Sequence, residues 1–340
     1  MRYVLKSVII VLFLMGEING RTLWKGVEVP LPRKIIIHQD KIYFLSRKDR
    51  SKLYIYSLRN GKEIKTIGRK GTGPGELNWV VDFNIWKDGI YFYELYSGAI
   101  KIFDFSGKEK ARSFFRSRIN RASKKSITFT KFFIVDHKTI LVIGYDYNKL
   151  KEMVKCKYHP FFLVRLRKNA PPLVEGFGEP PLGICKRKDE ALHQLWQMHM
   201  NFSFYKGRLF YYDVDRFRIY VEDVGKKEGK ILLEEKIKNF LPLKGRIIIR
   251  KFKGGASTSY EDYYFPQLRI FPFEKGFWVF IPLKEELLGF SPGIIRKYIY
   301  TEKGVKLVLE RKTEFMPFAY GSGIFVGIDK DEKLVEFDIK

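Results

Sequence analysis

Cysteine and histidine are scarce in this chain of 340 residues, with two of the first and five of the second. Disulfides therefore cannot be the main thing holding the fold. Acidic residues are outnumbered: 38 Asp+Glu stand against 64 Lys+Arg, a formal charge of +26. The chain has no Gly-x-Ser-x-Gly elbow, no His-Glu-x-x-His, and no Ser or Cys nucleophile with a convincing base, so the usual hydrolase signatures are missing. Glycine and proline are modest, at 28 and 14. What is present is apolar and aromatic: 45% hydrophobic residues exclude a disordered chain, and 30 Phe with 20 Tyr favour strands, because aromatic side chains pack well on pleated surfaces.

The N-terminus speaks to compartment. Arg2 and Lys6 precede an apolar run from Val8 to Met15, and Gly16, Asn19 and Gly20 follow, the order of a secretory signal peptide. The run is too short to span a bilayer comfortably, and no cysteine is at hand for a lipid anchor. Residues 1–20 are read as a signal peptide cleaved after Gly16 or Gly20. Beyond residue 20 no uncharged run reaches membrane length, so no transmembrane span is expected in the mature chain. The expected location is periplasmic or extracellular, where thiols oxidise.

One phrase recurs along the rest: a turn, a short apolar strand, a polar loop, an alternating strand, a second turn, another strand. Copies begin at Lys41, Gly89, Thr139, Gly207, Gly276 and Gly323, with spacings of 48, 50, 68, 69 and 47 residues. Periods of 40 to 50 residues, once two long insertions are allowed, are those of propeller blades. Strands such as 35–37, 132–135 and 277–281 are continuously apolar, as strands covered on both faces must be, while 52–56 and 101–105 look half-exposed. The fold expected is an all-β, six-bladed β-propeller of four-stranded antiparallel blades. Residues 21–340 form one domain, with blades near 33–68, 78–116, 128–178, 199–237, 267–311 and 316–340. The last copy lacks an outermost strand, and the segment 21–31, strand-like from Thr22 to Leu31, is expected to complete it beside 333–338 and remove an exposed edge.

Between the first two blades the chain reads Gly68-Arg-Lys-Gly-Thr-Gly-Pro-Gly-Glu-Leu77, in which glycines 71, 73 and 75 permit a compact turn. This junction resembles the NHL-repeat family, and more closely the exported bacterial six-bladed β-propellers related to it, in which a Gly-Pro-Gly-Glu type loop joins blades. Gly176–Pro180 is a degraded copy, and Val80 stands where the family has proline.

In a propeller the loops between second and third strands and the crossings from blade to blade emerge on one face, so the long insertions near 146–160, 178–198 and 237–266 share it. That face carries Arg69 and Lys70, and a run with no carboxylate that holds Arg112, Arg116, Arg118, Arg121, Lys124 and Lys125. Such a patch could bind an anion through charge and stacking; the plain alternative is a solvated loop in a chain that is basic throughout. Asp189 could cap a short helix placing Leu192, Leu195 and Trp196 on one side, either as binding surface or, as such stripes usually are, as packing. Cys156 and Cys185 reach the same face and could pair or stay as free thiols; with His159 and His193 they could instead bind zinc, although the spacing fits no usual ligand pair. Asp213 and Asp215, a tempting acid–base pair, fall where the repeat calls for turn residues.

These residues point to an exported, monomeric, non-catalytic binding or scaffolding propeller whose basic, loop-rich face meets an anionic glycan or another protein. Nucleic acid is disfavoured for an exported protein, and no cofactor or metal is called for. The alternative is a propeller-fold lyase or hydrolase acting on an anionic polysaccharide, which would need convergent acid, base or metal groups at the central mouth.

Overall fold

The computed structural model describes residues 20–22, 32–87, 89–168, 170–187, 193, 196–197, 200–237, 240, 244–252, 255–264, 267–283, 290–331 and 333–339. The expected signal peptide lies outside the described residues except for Gly20.

The chain forms a six-bladed β-propeller of four-stranded antiparallel sheets. A short strand, β1 (Gly20–Thr22), precedes the first blade, which is β2 (Pro32–His38), β3 (Lys41–Ser46), β4 (Leu53–Ser57) and β5 (Glu63–Ile67). Blade 2 is β6 (Val80–Trp86), β7 (Gly89–Glu94), β8 (Ile100–Asp104) and β9 (Glu109–Ser113), and a helix, α1 (Phe115–Ser123), crosses to the third. Blade 3 is β10 (Ile127–Ile134), β11 (Thr139–Asp146), β12 (Phe161–Arg165) and β13 (Leu173–Phe177), with α2 (Leu150–Val154) inside it and α3 (Leu182–Arg187) after it. Blade 4 is β14 (Ser203–Tyr205), β15 (Arg208–Tyr212), β16 (Arg218–Asp223) and β17 (Glu228–Glu234). A separate hairpin follows, β18 (Lys244–Phe252) against β19 (Gly255–Tyr264). Blade 5 is β20 (Arg269–Phe273), β21 (Gly276–Pro282), β22 (Gly293–Thr301) and β23 (Gly304–Thr313), and blade 6 is β24 (Met316–Gly321), β25 (Ile324–Ile328), β26 (Leu334–Phe337) and β1.

The ring closes through β1, whose Gly20, Arg21 and Thr22 pair with Phe337, Glu336 and Val335. Pairing begins earlier than the 21–31 segment led one to expect, and residues 23–31 lie outside the described residues. Removing the strand would leave β26 as an open edge at the seam.

Burial follows position within the blade. Second strands are covered on both faces, and every residue of β21 is buried. The third strands β4 and β8 are mostly buried as well, which differs from the half-exposed reading of their alternation. Exposure belongs to the fourth strands: β9 and β17 keep little inside. Aromatic side chains fill the wedge between neighbouring blades, as where Phe161, Phe202 and Tyr211 meet at the junction of blades 3 and 4.

Inner strands all run the same way, so their first residues gather at one mouth of the central channel. The junction loops and the second-to-third-strand loops open on that same face. In blades 1, 2, 3 and 6 a bulge interrupts the pairing near this end, between Pro32 and Lys34, Val80 and Asp82, Phe129 and Lys131, and Pro317 and Ala319. A bulge leaves one residue unpaired and re-aims its neighbours, here at the channel mouth.

Candidate functional site

The mouth is lined from equivalent places in the repeat. Lys34 pairs with Leu45, Asp82 with Tyr93, Lys131 with Ile143 and Arg269 with Phe280, in each case the fifth residue of the second strand. Four blades thus bring a charged side chain to the same rung, three of them cationic. Arg33 stands at the bulge of blade 1, and Arg47 and Arg50 come from the loop between β3 and β4.

Asp82 is the carboxylate that meets these cations, and its oxygens are occupied. It accepts from Lys34 Nζ at 2.8 Å, from the Phe83 amide at 2.9 Å and from the Phe132 amide of the next blade at 3.0 Å. Asn84 completes the bridge between blades, donating to the Phe132 carbonyl at 2.6 Å. Asp82 is buried, so these bonds fasten blades 1, 2 and 3 at the axis.

The cations around it are poorly compensated. Burial pushes the Lys131 ammonium down to about 7; Asp82 opposes that push, while Arg33, Lys34 and Arg269 add to it. Arg269 is buried and pushed down to about 9, first by desolvation and then by Arg47, with Tyr212 acting the other way. Arg33 is pushed down to about 10 by desolvation and by Arg50, with Asp82 opposing. Guanidinium groups do not give up their protons in proteins, so Arg33 and Arg269 remain charged and this push is an unfavourable field that an arriving anion would relieve. Lys131, by contrast, can titrate near neutrality.

Arg269 carries the clearest unmet demand. Its guanidinium lies 3.7 Å over the Phe318 ring, which fixes its plane, and its buried Nε has no hydrogen-bond partner among the described residues. A planar donor held by stacking is the group suited to a carboxylate, phosphate or sulfate.

The sequence-predicted residues are placed otherwise. Arg69 pairs with Glu76 at 3.1 Å, and Lys70 bridges to Leu77 across the junction loop. Glu76 folds back to accept from the Gly73 amide, and a Cβ at Gly71 would sit 2.0 Å from its carboxylate and displace it. Arg112 is bound to Glu109 and to the Thr72 and Gly73 carbonyls, clamping the same loop. The basic run becomes α1, which buries Phe115 and Ile119 and leaves Arg118 and Arg121 in solvent; Lys124 caps its end and Lys125 sits over the Phe162 ring. Arg116 reaches the Tyr96 carbonyl at 3.4 Å. Trp196 is fully buried against Phe202 and Tyr211, its indole N–H toward Met200 Sδ, so it packs the core and presents no binding surface. Asp189, Leu192 and Leu195 lie outside the described residues.

Cys156 and Cys185 form a disulfide that ties the loop of blade 3 to the crossing after it. His193 meets Tyr158 and His159 the Gly178 carbonyl, and no set of three His, Cys, Asp or Glu among the described residues is placed to hold a metal ion. Asp213 is buried, takes the Gly183 and Val214 amides and pairs with Arg218 at 3.3 Å, a structural role that anchors α3 to blade 4. No described helix is long and apolar enough to cross a membrane.

The axial cations were missed because no two blades place them near each other in sequence. The signal was there in the repeat alignment: the residue opposite the fifth position of each second strand.

A family described as 6-bladed beta-propeller matches residues 25–148, which spans blades 1 and 2 and the first half of blade 3. No curated protein matches the chain. Among solved structures the chain is similar to a member of the duf4221 family from Bacteroides vulgatus, with a TM-score of 0.59, 12% identity, and 96% of this chain and 97% of that one covered. A candidate exported protein from Bacteroides fragilis gives 0.55 at 12% identity, with 95% of both chains covered. A luciferin-regenerating enzyme gives 0.50 at 8% identity, again with 95% of both covered. Identities this low bear on fold alone, and what the matches show together is a six-bladed β-propeller.

Proposed function

We propose that this protein is an exported, monomeric, non-catalytic binding propeller that takes an anionic ligand at the axial mouth of its loop-rich face. One observation carries the reading: Arg33, Lys34, Arg47, Lys131 and Arg269 converge there around a carboxylate whose hydrogen bonds are already made, and Arg269 Nε has no partner among the described residues. Convergent cations, Arg269 buried and the others half-buried, can fix an anion by charge and orientation. Export is supported by the N-terminal sequence, by the Cys156–Cys185 disulfide, which suits an oxidising compartment, and by the likeness to a candidate exported protein. The Gly-rich junction keeps its NHL-type resemblance within this reading.

The test is thermal unfolding of residues 21–340 in chloride, sulfate, phosphate and citrate at matched ionic strength. Citrate, phosphate or sulfate raises the melting temperature over chloride, and Arg269→Gln removes the rise. A rise that Arg269→Gln leaves intact would move the site elsewhere; no rise with any of the anions would remove the anionic ligand.

A second reading has one observation in its favour. Lys131, poised near 7 among arginines, could take the proton from the carbon beside a neutralised carboxylate, the first step of a polysaccharide lyase. Incubation with oligogalacturonate would then yield an ultraviolet-absorbing unsaturated product that Lys131→Met does not form.

A further inference from the structure

The mouth does not end at the axis. Trp79 and Tyr96 lie on the same face at the boundary of blades 1 and 2, their rings 5.5 Å apart and tilted by 45°, and they are 41% and 66% exposed. Phe114, at the start of α1, is exposed as well. Large aromatic rings left in water beside a cluster of cations mark contact sites.

Arg50 joins this pair to the axial cations. Its guanidinium stacks 4.5 Å from the Trp79 ring, its carbonyl accepts the Val80 amide at 2.9 Å, and its charge bears on both Arg33 and Arg47. Trp79 stands three residues before Asp82, directly ahead of the inner strand β6 that carries that carboxylate to the axis. On the outer side Arg116 reaches the Tyr96 carbonyl. The result is one track: Arg116, Tyr96, Trp79, Arg50, and then the axial cluster.

Trp79 holds its place at a conformational cost. Its φ is +52°, in the left-handed region that a bulky side chain rarely occupies. Most other non-glycine residues with positive φ sit in tight turns between strands or at a helix end, where small polar residues would do as well, whereas Trp79 lies in a blade-to-blade crossing. An indole kept in a strained backbone position and left exposed is a structural outlier of the kind found at binding sites.

We propose, resting on the anionic-ligand reading above, that the ligand is an acidic saccharide, one pyranose ring stacked on Trp79 and Tyr96 and the acidic group of a neighbouring ring held by the axial arginines. A sugar ring has an apolar face of C–H bonds for the aromatic pair and polar edges for Arg50 and Arg116. A free inorganic anion would use the axis and leave the platform idle. An acidic peptide would satisfy the cations but offers no regular ring for the platform.

Calorimetric titration separates these outcomes, with oligogalacturonate, a sulfated heparin disaccharide, a neutral galacto-oligosaccharide, an Asp/Glu peptide and inorganic sulfate as probes. Variants are Trp79→Gly, which suits the backbone and removes the ring, Tyr96→Ala, and Arg269→Gln. An acidic saccharide should bind at least tenfold more tightly than sulfate or the peptide, and the better of the two saccharides tells a carboxylate from a sulfate ester. Trp79→Gly should lower that affinity about tenfold, leave sulfate binding within twofold and leave the melting temperature no lower; Tyr96→Ala should act in the same direction. If sulfate binds and Arg269→Gln abolishes it while saccharides bind no better or ignore Trp79→Gly, the saccharide inference is overturned and the anion site stands. Tighter binding of the peptide would overturn it in favour of a protein partner. If no anionic probe binds, the underlying reading falls with it.

Discussion

Two basic regions share one face of this propeller, and they differ in what surrounds their charge. In α1 the arginines follow one another closely in sequence, but Arg118 and Arg121 point into solvent, where counter-ions screen them at little cost. At the axis the cations come from positions as far apart as Arg33 and Arg269, and there they are desolvated together. Density along the chain produces a wet surface; convergence across blades produces a site. The second is worth more to an anion, because its charges are already partly stripped of water and gathered before the ligand arrives.

The comparison can be broken in order of effect. Arg269→Gln should weaken axial anion binding at least tenfold, whereas Arg118→Gln with Arg121→Gln should change it less than twofold; titration of sulfate or citrate reads both, and equal losses would erase the distinction. Asp82→Ala should come next. It strands Lys34 and Lys131 among like charges and releases the Phe132 amide, at a cost of about 3 kcal/mol in denaturant unfolding, since breaking a buried pair leaves uncompensated charge. Neutralising Lys131 should do the opposite: Lys131→Met should stabilise the ligand-free protein by about 1 kcal/mol, a gain with no counterpart in the α1 variants.

The pH dependence sharpens the same point. With its ammonium held near 7 in the folded chain and higher when unfolded, Lys131 leaves the unfolded state holding more protons above pH 7. Its penalty is therefore full below pH 7 and fades as pH rises, so the stability advantage of Lys131→Met should shrink between pH 7 and 9. Bound anion draws the proton back. Affinity should fall as pH rises through 7 in the native protein and stay flat in the variant, where Asp82, Arg33, Lys34 and Arg269 still face the position. The smallest effect expected is that of the α1 double variant on stability, within about 0.5 kcal/mol.

How far the sequence could be read depended on the range of the interaction. The repeat starts at Lys41, Gly89, Thr139, Gly207, Gly276 and Gly323 were visible because each blade is built from neighbours in the chain, and the alternation of its strands is a local pattern. The shared face of the long loops followed from topology alone. Trp196 could not be placed: a stripe at helical spacing reads the same whether it faces solvent or, as here, a packed wedge of Phe202 and Tyr211. Arg112 has one partner visible in the sequence, Glu109 three residues before it, but the contacts by which it clamps the junction loop, the Thr72 and Gly73 carbonyls, lie about forty residues away and are backbone atoms with no sequence signature. The axial site was hardest of all, since it draws one residue from each of several blades and its meaning depends on their common rung.

The most direct test is anomalous diffraction from crystals soaked in selenate. The account predicts a peak at the axial mouth within hydrogen-bonding distance of Arg269 Nε and the Lys131 ammonium, absent from crystals of Arg269→Gln. Peaks confined to the α1 arginines, with the mouth empty in the native protein, would contradict it.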